Sequence, residues 1–219
     1  MMDIESLLRQ EGVITLAVLE TSDSALPLAE ALLAGGLTTV EVALRTDQSL
    51  IALQAMAESS PSLRVLAGTV ITRDQAARAV DSGAVALVSP GFSLEVSKWC
   101  GDHDVPYVPG VATATEIMVA LDNGHHLLKL FPAAQLGGLS TLLALEAPFA
   151  QHGLSFMLTG GMGQDDLRQA LKTPCVGAVS GSWIAPRRDI VSGAWNVIKK
   201  NARAARAVVT QVHSEGDHS

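Results

Sequence analysis

The sequence is poor in cysteine, in long apolar runs and in clustered positive charge. Only two of its 219 residues are cysteines. Cys100 and Cys175 lie far apart, and neither belongs to a Cys-x-x-Cys pair or has a metal-ligand neighbour at useful spacing. That argues against a disulfide scaffold and a cysteine-held metal, and both thiols read as reduced and structural in a cytoplasmic protein. No apolar run approaches the roughly 18 residues of a membrane-crossing helix. Met1-Met2-Asp3-Ile4-Glu5 lacks the basic stretch and apolar core of a signal peptide, so neither secretion nor membrane insertion is expected. The net charge is −7 and the basic residues are scattered, which argues against nucleic acid or an anionic membrane as partner. Lys199, Lys200, Arg203 and Arg206 follow helical spacing and read as one solvated helix face.

What is present is 48% hydrophobic and 17% charged, enough for one large core, and no linker-like stretch divides residues 1–219. Short apolar runs rich in Val, Leu and Ala alternate with helical patterns. The strand candidates are 13–19, 38–44, 64–68, 84–89, 106–108, 127–131, 155–158 and 175–180. Few alternate cleanly with polar residues, as expected of parallel strands covered on both faces. Between them, Ser24, Thr72 and Thr113 stand where helices should begin, and Glu116 completes a capping-box pattern with Thr113. Gly35-Gly36, Gly83, Gly101 and Gly124 stand where helices should stop.

Eight such units predict an α/β fold, a single (β/α)8 TIM barrel. Residues 2–11 form an additional N-terminal helix placed to cover its floor, and residues 210–219 read as a polar, frayed tail. An open doubly wound sheet would call for a glycine-rich fingerprint after the first strand, whereas Glu20-Thr21-Ser22-Asp23-Ser24 contains no glycine.

Lys129 stands out within Leu127-Leu128-Lys129-Leu130-Phe131. A buried lysine is costly unless paired or neutral, and a neutral lysine attacks carbonyls to form a Schiff base. The alternative is an exposed lysine ending an amphipathic helix. Strand alternation puts Glu41, Ala43 and Arg45 on one face of the second strand and Leu127, Lys129 and Phe131 on one face of the sixth. If those faces point inward, Glu41, Arg45 and Lys129, with Thr69 and Thr159, converge on the mouth formed by the strands' C-terminal ends, where barrels hold their active sites. An ion network that only stabilises the barrel is the competing reading.

Thr159-Gly160-Gly161-Met162-Gly163 and Ser180-Gly181-Ser182 follow the last two strands and suit an anion such as phosphate, although glycines there also serve tight turns. The six histidines form no metal-binding spacing: His125 and His126 are adjacent, His103 and His152 stand in helix ends or loops, and His213 and His218 lie in the tail. No Ser-His-Asp arrangement can be placed. The chemistry is therefore expected to need no metal and no cofactor. A phosphate-binding barrel isomerase and a non-catalytic ligand-binding barrel remain as alternatives, and the first leaves Lys129 without a task.

Val40-Glu41-Val42-Ala43-Leu44-Arg45-Thr46, Ala67-Gly68-Thr69-Val70, Val88-Ser89-Pro90-Gly91, Pro109-Gly110-Val111-Ala112-Thr113, Lys129-Leu130-Phe131-Pro132-Ala133, Thr159-Gly160-Gly161 and Gly181-Ser182-Trp183 occur in this order. Together they resemble the motifs of the 2-keto-3-deoxy-6-phosphogluconate aldolase family, which includes 4-hydroxy-2-oxoglutarate aldolase activity. The resemblance runs from about Glu5 to Ala205. It implies a metal-independent class I aldolase, a lyase releasing pyruvate and glyceraldehyde 3-phosphate, built as a homotrimer of (β/α)8 barrels. It makes Lys129 the Schiff-base lysine and Glu41 the general acid/base. Arg45, Thr69 and Thr159 would line the carboxylate pocket, with Pro90 and Phe131 as its wall. Gly160, Gly161, Gly181 and Ser182 would hold the phosphate. The chain departs from the family pattern at Leu158 (commonly proline), Ala134 (often glutamate), Ala112 (often serine or methionine) and Leu19-Glu20 (often a basic residue). These departures bear on substrate preference, with the galactonate-type substrate as an alternative.

Overall fold

The structure, a computed structural model, describes residues 3–216. Strands and helices alternate along the chain. Among the described residues nine short strands run parallel in one sheet: β1 (Val13–Ala17), β2 (Thr39–Ala43), β3 (Arg64–Gly68), β4 (Ala86–Val88), β5 (Tyr107–Val108), β6 (Gly110–Val111), β7 (Leu127–Leu130), β8 (Ser155–Thr159) and β9 (Val176–Gly181). Their order is β5-β4-β3-β2-β1-β9-β8-β7-β6. The two end strands are consecutive in the chain, so the ring closes through the chain itself. β4 pairs with β5, Pro109 intervenes, and β6 pairs with β7. Proline cannot donate to the ladder. The Pro109 carbonyl still accepts from Lys129 N at 2.8 Å, so β5 and β6 are two halves of the fifth strand of an eight-stranded barrel.

The helices are α1 (Ile4–Glu11), α2 (Ala25–Ala34), α3 (Ser49–Ser59), α4 (Arg73–Asp81), α5 (Leu94–Asp102), α6 (Ala114–Asp122), α7 (Gly138–Glu146), α8 (Gln164–Leu171), α9 (Arg187–Val191) and α10 (Trp195–Gly216). Thr72 opens α4 with a capping box completed by Gln75, and Thr113 opens α6 with one completed by Glu116. Two expected signals behave differently. Ser24 makes no side-chain cap; it lies in a 3-10 turn (Ser22–Ser24) that leads into α2 with helical backbone already in place. Gly101 lies inside α5, which ends one residue later.

The barrel interior is filled by Ile14, Leu66, Ala86, Val88, Val108, Leu127, Met157 and Ala178, with Leu8 of α1 in the same cluster. Asp3 caps α1 through bonds from the Glu5 and Ser6 N–H groups, and Leu8 is fully buried. α1 thus closes the end of the barrel opposite the mouth. A larger apolar layer joins the outward strand faces to the surrounding helices. Among the described residues no helix is long and apolar enough to cross a membrane.

The frayed tail expected over residues 210–219 is corrected as far as residue 216. α10 runs on to Gly216 because Val209 and Val212 bury one face. Glu215 bridges to Arg168, and to Lys172 Nζ at 2.8 Å. A chain that looks polar by composition is ordered there by its spacing. Residues 217–219, with His218, lie outside the described residues, as does Met2 of the helix read over 2–11.

Candidate active site

Lys129 is central to β7 and points into the barrel, as its parity with Leu127 requires. Its Nζ donates to Glu41 Oε1 at 2.9 Å. The side chains are 5% and 1% exposed, so this is a dry ion pair rather than a surface one. Both charges are displaced from water, and such pairs rarely add net stability. The Lys129 ammonium also lies 5.7 Å from the centre of the Phe131 ring, two residues on along the same face. Glu41 is fixed from below by Gly68 on β3. A Cβ built there would lie 2.3 Å from Oε1, so the carboxylate occupies the space that glycine leaves open.

The second Glu41 oxygen is held by a residue that the sequence reading placed only in the Ser180-Gly181-Ser182 anion loop. Ser180, fully buried on β9, donates through Oγ to Glu41 Oε2 at 2.9 Å. The signal available in the sequence was parity. Ser180 follows Ala178 on the inward face, and is the one polar inward residue at the end of that strand.

Arg45 and Thr69 meet at the rim. The Arg45 Nε donates to Thr69 Oγ1 at 3.3 Å, and Arg45 is exposed. Thr69 has a φ of +62°, a region a β-branched residue rarely adopts. Its backbone is therefore strained where its hydroxyl faces Arg45. Thr159 pairs in register with Ser180, which places it on the same inward face. Its buried hydroxyl has no hydrogen-bond partner among the described residues, a donor-acceptor aimed into the site.

Pro90 follows β4, and its backbone packs against Gly110. A Cβ on Gly110 would meet the Pro90 carbonyl at 2.3 Å, so the two loops touch main chain to main chain. Behind this loop a hydroxyl chain anchors its base: the Tyr107 OH donates to Ser89 Oγ at 2.9 Å, and Ser89 donates to the Val70 carbonyl. Phe131 follows the lysine strand and stands against Gly160, whose added Cβ would lie 3.2 Å from the ring.

The two glycine loops lie side by side. Gly160 (φ +98°) and Gly161 (φ +72°) use backbone that other residues adopt with strain. The Ala133 N–H donates to the Thr159 carbonyl at 2.7 Å and the Ala134 N–H to Gly160 at 2.9 Å, which stitches the loop after β7 to the one after β8. Gly181 packs beneath the Trp183 ring, and Trp183 Nε1 donates to Gln164 Oε1 at 3.2 Å, so the Ser182 loop is tied to the start of α8. Ser182 itself is exposed at the rim. The positive end of α8 is met within the chain by Asp166, which accepts from the Gly163 N–H at 2.8 Å. Glu20, where the family often has a basic residue, pairs with Arg187 Nε at 2.7 Å, so a cation reaches the same rim from the start of α9.

Of the histidines, His125 bonds Ser97 Oγ at 2.7 Å, His103 donates to the Trp99 carbonyl and His126 to the His152 carbonyl. Among the described residues no three His, Cys, Asp or Glu side chains are grouped so as to hold a metal. Burial pushes the Cys100 thiol up to about 12 and raises that of Cys175, and both are free thiols away from the lysine.

A family model for KDPG and KHG aldolases matches residues 4–201. The 2-dehydro-3-deoxy-phosphogluconate aldolase of Pseudomonas aeruginosa is 37% identical over 92% of this chain and 91% of its own. The KHG/KDPG aldolase of Escherichia coli is 35% identical over 92% and 93%. Among solved structures, the KDPG aldolase of Legionella pneumophila, with pyruvate captured at low pH as a covalent carbinolamine, superposes with a TM-score of 0.88 at 36% identity. That match covers 93% of this chain and 98% of that one. The chain belongs to the KDPG and KHG aldolase family and is a lyase.

Proposed function

We propose that this chain is a class I aldolase that cleaves 2-keto-3-deoxy-6-phosphogluconate to pyruvate and glyceraldehyde 3-phosphate through a Schiff base on Lys129. The observation that carries the reading is the buried Lys129–Glu41 pair at 2.9 Å, on the inward faces of two strands. A nucleophilic amine needs an adjacent proton acceptor, and the pair supplies both in a water-poor site.

Glu41 Oε1 takes a proton from Lys129, and the neutral amine adds to the C2 ketone. Glu41 gives that proton to the departing C2 hydroxyl, so that water leaves, the protonated imine forms and the Glu41 carboxylate is restored. Glu41 then removes the proton of the C4 hydroxyl. The C3–C4 bond breaks, its electron pair moves into the C2–C3 bond to form the enamine, and the aldehyde leaves. Glu41 returns its proton to C3, and water releases pyruvate while restoring the amine. Arg45, with Thr69 and the unpartnered hydroxyl of Thr159, suits the pyruvate carboxylate, since a guanidinium fork matches two oxygens. Pro90 and Phe131 form the wall. Gly160, Gly161, Gly181 and Ser182 bind the distal phosphate through their main chain and the serine hydroxyl.

Glu41→Gln is expected still to form the imine, more slowly for want of the proton acceptor, and to lower kcat by about 10² to 10⁴, the usual worth of a general base. Steady-state kinetics with single-turnover trapping separates the two effects. Comparing kcat/KM for the gluconate-type, galactonate-type and unphosphorylated substrates tests the preference. A larger value for the unphosphorylated one would overturn it.

The homotrimer belongs to the same proposal. Ile71, Leu94 and Met118 are exposed apolar side chains at or near the α4, α5 and α6 helices. Light scattering should return three chain masses, and a single chain mass would overturn the assembly.

A further inference from the structure

A carboxylate that works as a proton carrier has two oxygens, and its final torsion is broad and roughly two-fold. Unless something holds one oxygen, the group can turn and present either. In this barrel Glu41 Oε1 takes the Lys129 ammonium and Oε2 takes the Ser180 hydroxyl, each at 2.9 Å. Ser180 is itself held within the sheet. It is fully buried, and its backbone is paired in register with Ile14 on one side and Thr159 on the other.

We propose that Ser180 is a positioning residue that gives the two oxygens of Glu41 separate tasks, Oε2 as a fixed anchor and Oε1 as the proton carrier. The inference rests on the aldolase reading above. Once Lys129 becomes the imine, its nitrogen is committed to C2 of the substrate and its contact with Oε1 is given up. Ser180 continues to hold Oε2, so the carboxylate keeps the orientation it had in the resting site. Oε1 is then the oxygen left to accept the proton of the C4 hydroxyl as the C3–C4 bond opens and its electrons pass into the enamine. The resulting neutral carboxyl carries that proton on Oε1, and Oε2, now the carbonyl oxygen, still accepts from Ser180. The same Oε1 proton is delivered to C3. Gly68 leaves the carboxylate its place, since a Cβ there would lie 2.3 Å from Oε1.

The test compares the unaltered protein with Ser180→Ala, which loses only a hydroxyl, and Ser180→Thr, which keeps one. Three readouts are taken with pyruvate or the phosphorylated keto acid: borohydride trapping of pyruvate on Lys129, exchange of the pyruvate methyl protons for deuterium in D2O, and kcat with KM. A misplaced general base costs on the order of 10²-fold. Ser180→Ala should therefore trap pyruvate as the unaltered protein does and keep KM within about threefold, while methyl exchange and kcat fall together by about 10- to 100-fold. Ser180→Thr should recover most of both. Unchanged exchange and kcat in Ser180→Ala overturn the inference alone. So does a loss of trapping in step with kcat, which would make Ser180 a support for the lysine instead, and so does a Thr variant as slow as Ala. Failure of the unaltered protein to trap pyruvate overturns the aldolase reading and this inference with it.

Discussion

Gly68 shows how much of this site is set by atoms that are missing. Its backbone is ordinary strand, so an alanine would fit the conformation, but its Cβ would lie 2.3, 2.7 and 2.9 Å from Oε1, Cγ and Cδ of Glu41. Gly68→Ala is therefore expected to fold and to displace the carboxylate, lowering kcat by about 10²-fold. Circular dichroism beside steady-state kinetics checks it, and an unchanged kcat would show that Glu41 tolerates the shift. At this scale the sequence was legible where residue type and strand parity agreed. A lysine, a glutamate and an unpartnered threonine on inward faces were visible as candidates. Ser180 was not, because a serine between valine and glycine looks like part of an anion loop. Its role depends on β9 lying two strands from β2 across β1, which no local pattern states.

Among the elements, the fifth strand and the last helix show two ways that local reading falls short. Pro109 divides one strand into two pieces, yet its carbonyl keeps the Lys129 backbone in register, so the break leaves the catalytic strand anchored. The end of α10 was hidden by its polar composition, and its Val209 and Val212 face had to find a partner before the order could be seen. The α5 region carries a pH-dependent contact of its own. His125 lies edge-on to Tyr107 at 5.3 Å and to Phe92 at 6.0 Å and bonds Ser97 Oγ. Burial, and then the neighbouring His126, holds its pKa below the usual value. The folded protein thus binds a proton at His125 less readily than the unfolded chain, whose histidine titrates near 6.5. Its contribution is fully present above about pH 6.5 and is lost as the pH falls from there toward the lower folded value. Urea midpoints should drop more between about pH 7.5 and 5.5 in the unaltered protein than in His125→Gln. Parallel curves would contradict that account.

For the whole molecule, alternation of buried strands with helices was enough to specify a parallel α/β barrel, because only strands covered on both faces carry so few polar residues. The floor helix was legible for a similar reason, as Leu8 has no other place to bury. The contact of Ser180 on β9 with Glu41 on β2 was not, since it arises from the tilt and stagger of strands far apart in sequence. The central claim, that the buried lysine forms the imine, is tested most directly by borohydride reduction in the presence of pyruvate followed by peptide mass mapping. The account predicts one reduced pyruvate adduct per chain, on the peptide that contains Lys129, and none in Lys129→Ala. No adduct, or an adduct on another lysine, would contradict it.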